Sequence, residues 1–206
     1  MSAPLAERMR PGDLSEYIGQ RHLLEENGAL KKAIQSKILP SIIFWGPPGV
    51  GKTTLANLLA KQLNRPFYTL SAISSGVKDV RDVIEDAKKQ NLFSGKSPIL
   101  FIDEIHRFNK SQQDSLLHAV EKGWIVLIGA TTENPSFEVV SALLSRSQVY
   151  ILKALSYSAA GQKLREEHGN GLVTQYCYEP RTQLLAEVRT ERPTGHAQGA
   201  KVLQDL

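Results

Sequence analysis

Over the first 155 residues the hydrophobic and polar positions follow two alternating rhythms. Short, nearly continuous apolar runs, the pattern of strands covered on both faces, alternate with segments whose apolar residues recur every three or four positions, the pattern of amphipathic helices. Strands are predicted at Ser41–Trp45 (SIIFW), Phe67–Leu70 (FYTL), Pro98–Asp103 (PILFID), Trp124–Ala130 (WIVLIGA) and Gln148–Leu152 (QVYIL). Helices are predicted at His22–Lys37, Thr53–Leu63, Val77–Gln90, Asn109–Gly123 and Ser136–Arg146. In the third of these, Val77, Val80, Val83, Ile84 and Ala87 share one side. The fourth opens on a capping-box pair, Asn109 and Gln112, and stops at Gly123. Strand and helix alternating in this way predict an α/β fold around a parallel sheet.

The pattern fades after Leu155. The last 51 residues hold no Ile and no Phe, and their nine Leu and Val fall below the ~20% aliphatic content under which disorder is expected. Acidic and basic residues balance there at six each, so the net charge of +4 resides in the first 155 residues. The chain therefore divides into a core at 1–155, with an N-terminal arm at 1–22, and an irregular tail at 156–206. A mild basic excess permits a nucleic-acid or phosphate partner without requiring one. The single cysteine, Cys177, excludes an internal disulfide and fits a reducing compartment. The sequence has no apolar run of signal-peptide or membrane-span length, so a soluble, cytoplasmic protein with no membrane partner is expected.

The chemistry-bearing residues sit at strand ends. Gly46–Thr53 (GPPGVGKT) follows a predicted strand and opens a predicted helix. Glycines in that position let backbone N–H groups turn toward phosphate oxygens, and the helix N-terminus adds its positive end. The expected ATP contacts are Gly46, Pro47, Pro48, Gly49, Val50, Gly51, Lys52, Thr53 and Thr54. Lys52 would reach the β- and γ-phosphates, and Thr53 would place its hydroxyl on Mg²⁺. A strand ending in two carboxylates follows at Ile99–Glu104 (ILFIDE). Acids are costly to bury without a partner, and parallel strands present their carboxyl ends to the ligand crevice. Asp103 would hold the Mg²⁺ shell, partly through water, and Glu104 would act as general base on the attacking water. Thr132, at the end of the fourth strand, would lie between these carboxylates and the γ-phosphate.

With these pieces placed, the sequence resembles the AAA+ ATPases, and among them the RarA/MgsA group of replication-associated recombination proteins related to the Werner-helicase-interacting protein. DEIHRFNKSQQD and GATTENPSFEV carry the specific part of the likeness, which runs from about Leu5 to Leu155. The resemblance implies a P-loop NTPase domain of three layers, α/β/α, with a five-stranded parallel sheet of order 5-1-4-3-2. It implies ATP hydrolysis within a homo-oligomer, coupled to DNA at a fork, gap or single-strand/double-strand junction during recombination and repair. It places Tyr17 and Ile18 against the adenine and makes Arg146 an arginine finger acting in trans. It also points to Lys78, Arg81 and Lys110 as DNA contacts.

Family members continue into a helical lid and a C-terminal oligomerisation domain, neither of which is recognisable after Leu155. Arg181–Pro193 alone suggests a helix. Either the tail is a divergent short cap or the reading frame shifts near codon 155, and the abrupt fall in aliphatic content favours the second. Two rival functions stay open: a Holliday-junction branch-migration helicase or clamp-loader-type subunit, and an inactive nucleotide-binding fragment lacking the lid.

Overall fold

Ser41, Ile42, Ile43 and Phe44 are all buried, as are Ile99, Leu100, Phe101 and Ile102. Successive strand residues point to opposite faces, so such runs demand cover on both sides. In a computed structural model of the chain these runs form β1 (Ser41–Trp45) and β3 (Ile99–Asp103). With β2 (Phe67–Ser71), β4 (Val126–Thr131) and β5 (Ser147–Ile151) they make one five-stranded sheet of order β2-β3-β4-β1-β5. Read in reverse this is the parallel 5-1-4-3-2 order that the resemblance implied. The register pairs Ile42 with Ile128, Phe101 with Ile128, and Ser71 with Asp103. The structure describes residues 10–17, 19–157, 162–167, 172–179, 184–191 and 202–204.

Helices cover the sheet. Leu100, Ile102 and Leu127 pack with Val80, Ile84 and Ala87 of α4 (Val77–Ser94) and with Leu116 and Ala119 of α5 (Lys110–Glu121). The alternate residues of β3, Ile99 and Phe101, belong to the opposite face, and α3 (Lys52–Gln62) packs on β3 and β4. Each fully buried Ile or Phe contributes roughly 1.5–3 kcal/mol of transfer free energy, so this double-sided sheet holds the fold together.

Chain contacts separate two compact units, one of residues 1–45 and 51–150, the other of 46–50 and 151–206. In the second unit β6 (Ala154–Tyr157), β7 (Lys163–Glu167), β8 (Val173–Tyr178), β9 (Leu185–Glu191) and β10 (Val202–Gln204) form an antiparallel sheet of order β10-β9-β8-β7-β6. Glu166 is buried there and accepts from Lys153 Nζ (2.5 Å), Lys163 Nζ (2.7 Å) and the Tyr176 hydroxyl (3.1 Å).

Three predicted helices differ from those observed. The one at His22–Lys37 is two, α1 (Arg21–Leu24) and α2 (Ala29–Ser36). The chain turns between them at Gly28, where a Cβ would lie 2.3 Å from the Leu23 carbonyl oxygen. The one at Ser136–Arg146 is also two, α6 (Pro135–Glu138) and α7 (Ser141–Leu144), separated by an extended Val139. Here the buried Gln113 side chain substitutes for helical hydrogen bonds. Its Nε2 donates to the Glu138 carbonyl (3.1 Å) and to the Phe108 carbonyl (3.0 Å), and its Oε1 accepts from the Val140 N–H (2.8 Å). The helix suggested at Arg181–Pro193 is the strand β9 where the structure describes it, and among the described residues the tail expected to be irregular contains the strands β7 to β10 and the end of β6. Leu185–Glu191 pairs there with Val173–Tyr178 (VTQYCY), which is rich in β-branched and aromatic residues, and that pairing outweighs local helix propensity.

Candidate functional site

The loop after β1 reaches α3 through two glycines with positive φ, Gly49 (φ 78°) and Gly51 (φ 87°), a region where other residues are strained. Gly51 is the N-cap residue of α3, and no side-chain oxygen caps that helix. A helix begun on glycine keeps its first-turn N–H groups unclaimed by a capping side chain, the arrangement that suits an anion. Gly51 also fits under Tyr17. A Cβ there would lie 2.7 Å from the Tyr17 hydroxyl, which donates to the Gly51 carbonyl at 3.5 Å. Burial pushes the Tyr17 pKa up to about 12, so the phenol stays neutral.

Lys52 follows at the first position of α3 and is only 7% exposed. Burial lowers its ammonium pKa, and the charges of Glu104 and Asp103 oppose that shift. A cation held this far from water needs carboxylate partners, and the two acids at the end of β3 supply them. Thr53 and Thr54 occupy the next two positions, both half-buried. Thr53 and Asp103 together offer hard oxygen donors of the kind Mg²⁺ selects.

Glu104 has left-handed backbone angles (φ 55°, ψ 47°) and caps a 3₁₀ turn at Ile105–Arg107. A non-glycine residue in that region costs about 1–2 kcal/mol, a strain found where geometry serves a function. The turn is anchored by the fully buried Ile105, which packs on β4 at Gly129; a Cβ there would lie 2.9 Å from the Ile105 Cδ1. The Glu104 carboxylate is met from two directions, by the residue that follows β4 and by its own 3₁₀ turn. Thr132 Oγ1 donates to Glu104 Oε2 at 3.4 Å, and His106 Nδ1 lies 3.2 Å from the same oxygen. His106 Nδ1 is also 3.1 Å from Thr131 Oγ1. The Thr131 hydroxyl in turn donates to the Glu133 carbonyl (3.1 Å) and accepts from the Glu133 N–H (3.0 Å).

The structure thus gathers Lys52, Asp103, Glu104 and Thr132 around the end of β3. Arg146 follows α7, half-exposed, with its guanidinium on Glu121 (2.7 Å) and the Ala142 carbonyl (2.9 Å). Lys78 and Arg81 are exposed near the start of α4 and Lys110 at the start of α5. Ile18 lies outside the described residues. Three residues with evident roles were not singled out from the sequence: His106, Gln113 and Glu121. Gln113 carried a signal, since it is a polar residue at helical spacing from the apolar Leu116 and Val120. His106 stood two positions from the acid, and nothing in a linear pattern assigns it to Glu104.

A strand ending in a phosphate loop, a second strand ending in paired acids and a threonine hydrogen-bonded to one of those acids define a nucleotide-binding site of the P-loop kind. Residues 42–155 match the ATPase family associated with various cellular activities (AAA), and the chain belongs to that family. It is 55% identical over 163 residues to the replication-associated recombination protein A of Escherichia coli strain K12, covering 79% of this chain and 36% of that protein. Against the protein of the same name from Haemophilus influenzae it is 49% identical over 189 residues, covering 89% of this chain and 42% of the relative. That second match reaches beyond the 155 residues that carry the motifs. The ATPase WRNIP1 of Dictyostelium discoideum is 56% identical over 75% of this chain. The resemblance to the RarA/MgsA group therefore holds. The chain spans less than half the length of these relatives. Among solved structures, the Holliday junction branch migration motor RuvB of Thermotoga maritima is 32% identical, with a TM-score of 0.59 over 74% of this chain and 51% of that one. No helix among the described residues is long and apolar enough to cross a membrane.

Proposed function

We propose that the chain binds ATP with Mg²⁺ at Gly46–Thr54 and hydrolyses it, and that hydrolysis serves the processing of DNA in replication-associated recombination and repair. The observation that carries this reading is the buried Lys52 ammonium facing two carboxylates at the end of a parallel strand. A bound Mg²⁺ supplies charge neutralisation to the β- and γ-phosphates, and Thr53 and Asp103 are the residues that would hold it. Lys52 adds a fixed cation to the same phosphates. Glu104 takes a proton from the attacking water, and Thr132, which donates to the Glu104 carboxylate, aligns that water and the γ-phosphate. Tyr17, beside Gly51, contributes to the adenine end together with Ile18.

Arg146 completes the reading as a finger supplied to the neighbouring subunit of a homo-oligomer, a contribution worth ~10³–10⁵ in kcat where such fingers operate. DNA contacts fall to Lys78, Arg81 and Lys110, whose exposure suits phosphate binding. The protein acts in the cytoplasm.

The test is steady-state ATP turnover with and without DNA ends. Glu104→Gln retains ATP binding and loses turnover, and Lys52→Ala loses both. Unimpaired turnover in Glu104→Gln removes Glu104 as the base. Parent turnover no greater than that of Lys52→Ala leaves a non-hydrolysing nucleotide-binding module. Lys78→Ala/Arg81→Ala weakens DNA binding and flattens its salt dependence, and an unchanged slope rejects those contacts. Branch migration is the second reading, favoured by the likeness to RuvB, and strand exchange on a four-way junction distinguishes it.

A further inference from the structure

His106 is mostly buried, and its Nδ1 faces two oxygens, Glu104 Oε2 at 3.2 Å and Thr131 Oγ1 at 3.1 Å. The neighbours decide which ring nitrogen bears hydrogen. Thr131 has one hydroxyl hydrogen, and the Glu133 carbonyl accepts it at 3.1 Å. The Glu133 N–H already points at the Thr131 oxygen. That oxygen therefore presents only lone-pair density to the imidazole, as does the Glu104 carboxylate. A bare Nδ1 facing both would be an acceptor among acceptors, whereas an Nδ1–H satisfies the arrangement. Of the two oxygens the carboxylate is the stronger acceptor, because a hydrogen bond to an ionised group is stronger than one to a neutral hydroxyl.

We propose that His106 is a positioning residue for Glu104, donating Nδ1–H to Oε2 of the carboxylate in a tautomer set by the Thr131–Glu133 turn. The catalytic part of this inference rests on Glu104 being the base. Thr132 donates to the same Oε2, so both hydrogen bonds gather on one oxygen and Oε1 keeps its lone pairs for the water. The anchoring has a physical purpose. The Lys52 ammonium attracts the Glu104 carboxylate, and a carboxylate drawn onto that cation is a poor base. Two donors on Oε2, from the 3₁₀ turn and from the residue that follows β4, hold it against that pull. The left-handed Glu104 backbone aims the side chain, and His106, two residues on, fixes where it ends.

The test compares three substitutions with a direct readout of the ring. Asn carries its amide nitrogen the same number of bonds from Cα as His Nδ1, whereas Gln carries it at the distance of Nε2. H106A and H106Q are expected to lower kcat on the order of 10- to 100-fold with ATP affinity retained, the signature of a misplaced group rather than lost binding. H106N is expected to recover most of that loss. In the ¹⁵N-labelled full chain, imidazole nitrogen shifts identify the protonated atom, which is expected to be Nδ1. An Nε2–H tautomer overturns the proposal whether or not the chain turns over ATP. So does parent-like kcat in H106A, or an H106N variant no better than H106A. Unimpaired turnover in Glu104→Gln instead rejects the base reading while the Nδ1–H signal remains to be found, so the two failures are distinguishable.

Discussion

Along β3, four successive residues are buried and all are apolar; along β8, only Val173 and Thr174 are buried, and the next four positions are exposed or half-buried. The α/β unit thus buries its central strands on both faces beneath helices. The antiparallel sheet keeps its strands wet and centres on polar pairs: Glu166 with Lys153, Lys163 and Tyr176, and Thr174 with Thr190 at 2.9 Å. The first arrangement draws on the hydrophobic effect of side chains that do not titrate. The second draws on ionic hydrogen bonds, which are net favourable only while every partner keeps its charge.

The strongest way to break the α/β unit is Phe101→Ala. Phe101 is fully buried in β3 and stacks with Phe67 at 6.1 Å, and its removal is expected to cost about 3–5 kcal/mol. Faster amide hydrogen exchange in β3 and β4 checks this. Gln113→Leu is expected to cost about 2–4 kcal/mol, because it strands the Phe108 and Glu138 carbonyls and the Val140 N–H; thermal unfolding against the parent measures it.

The antiparallel sheet should respond to acid instead. Burial would raise the Glu166 pKa, but the hydrogen bonds and charges of Lys153 and Lys163 outweigh it and hold the carboxyl at about 2, against an ordinary 4.5. A lowered folded-state value means the stabilisation is complete above pH 4.5 and is lost as pH falls toward 2. The loss is on the order of 2–3 kcal/mol, read as faster exchange of β7 and β8 amides in acid. Glu166→Gln is expected to remove this pH dependence. The smallest effect is Asn109→Ala, which removes the capping box with Gln112 and is expected to cost about 1 kcal/mol in a denaturant midpoint.

The same contrast explains what the sequence made legible. The central strands β1, β3 and β4 could be read because double-sided burial writes continuous apolar runs such as IIF and ILFI, and the half-buried β2 and β5 through their β-branched and aromatic residues. The phosphate loop and Asp103–Glu104 could be read because their chemistry occupies contiguous residues at strand ends. The second sheet was missed because its strands carry charged and polar residues on a partly wet surface, so LAEVRTE suits a helix as well as a strand until pairing with VTQYCY decides. The breaks at Gly28 and Val139 escaped for a different reason. One depends on the approach of the Leu23 carbonyl, the other on a glutamine 25 residues or more away, and neither is a local property.

That glutamine has a mechanical consequence. Both amide hydrogens of Gln113 and one lone pair of its oxygen are committed to backbone groups, on the Phe108 side of α5 and at Glu138–Val140. Displacing the latter segment from α5 breaks two of these bonds together. The stretch leading to Arg146 therefore resists small excursions as a latch does, staying in register with the turn that follows Glu104 until both bonds yield.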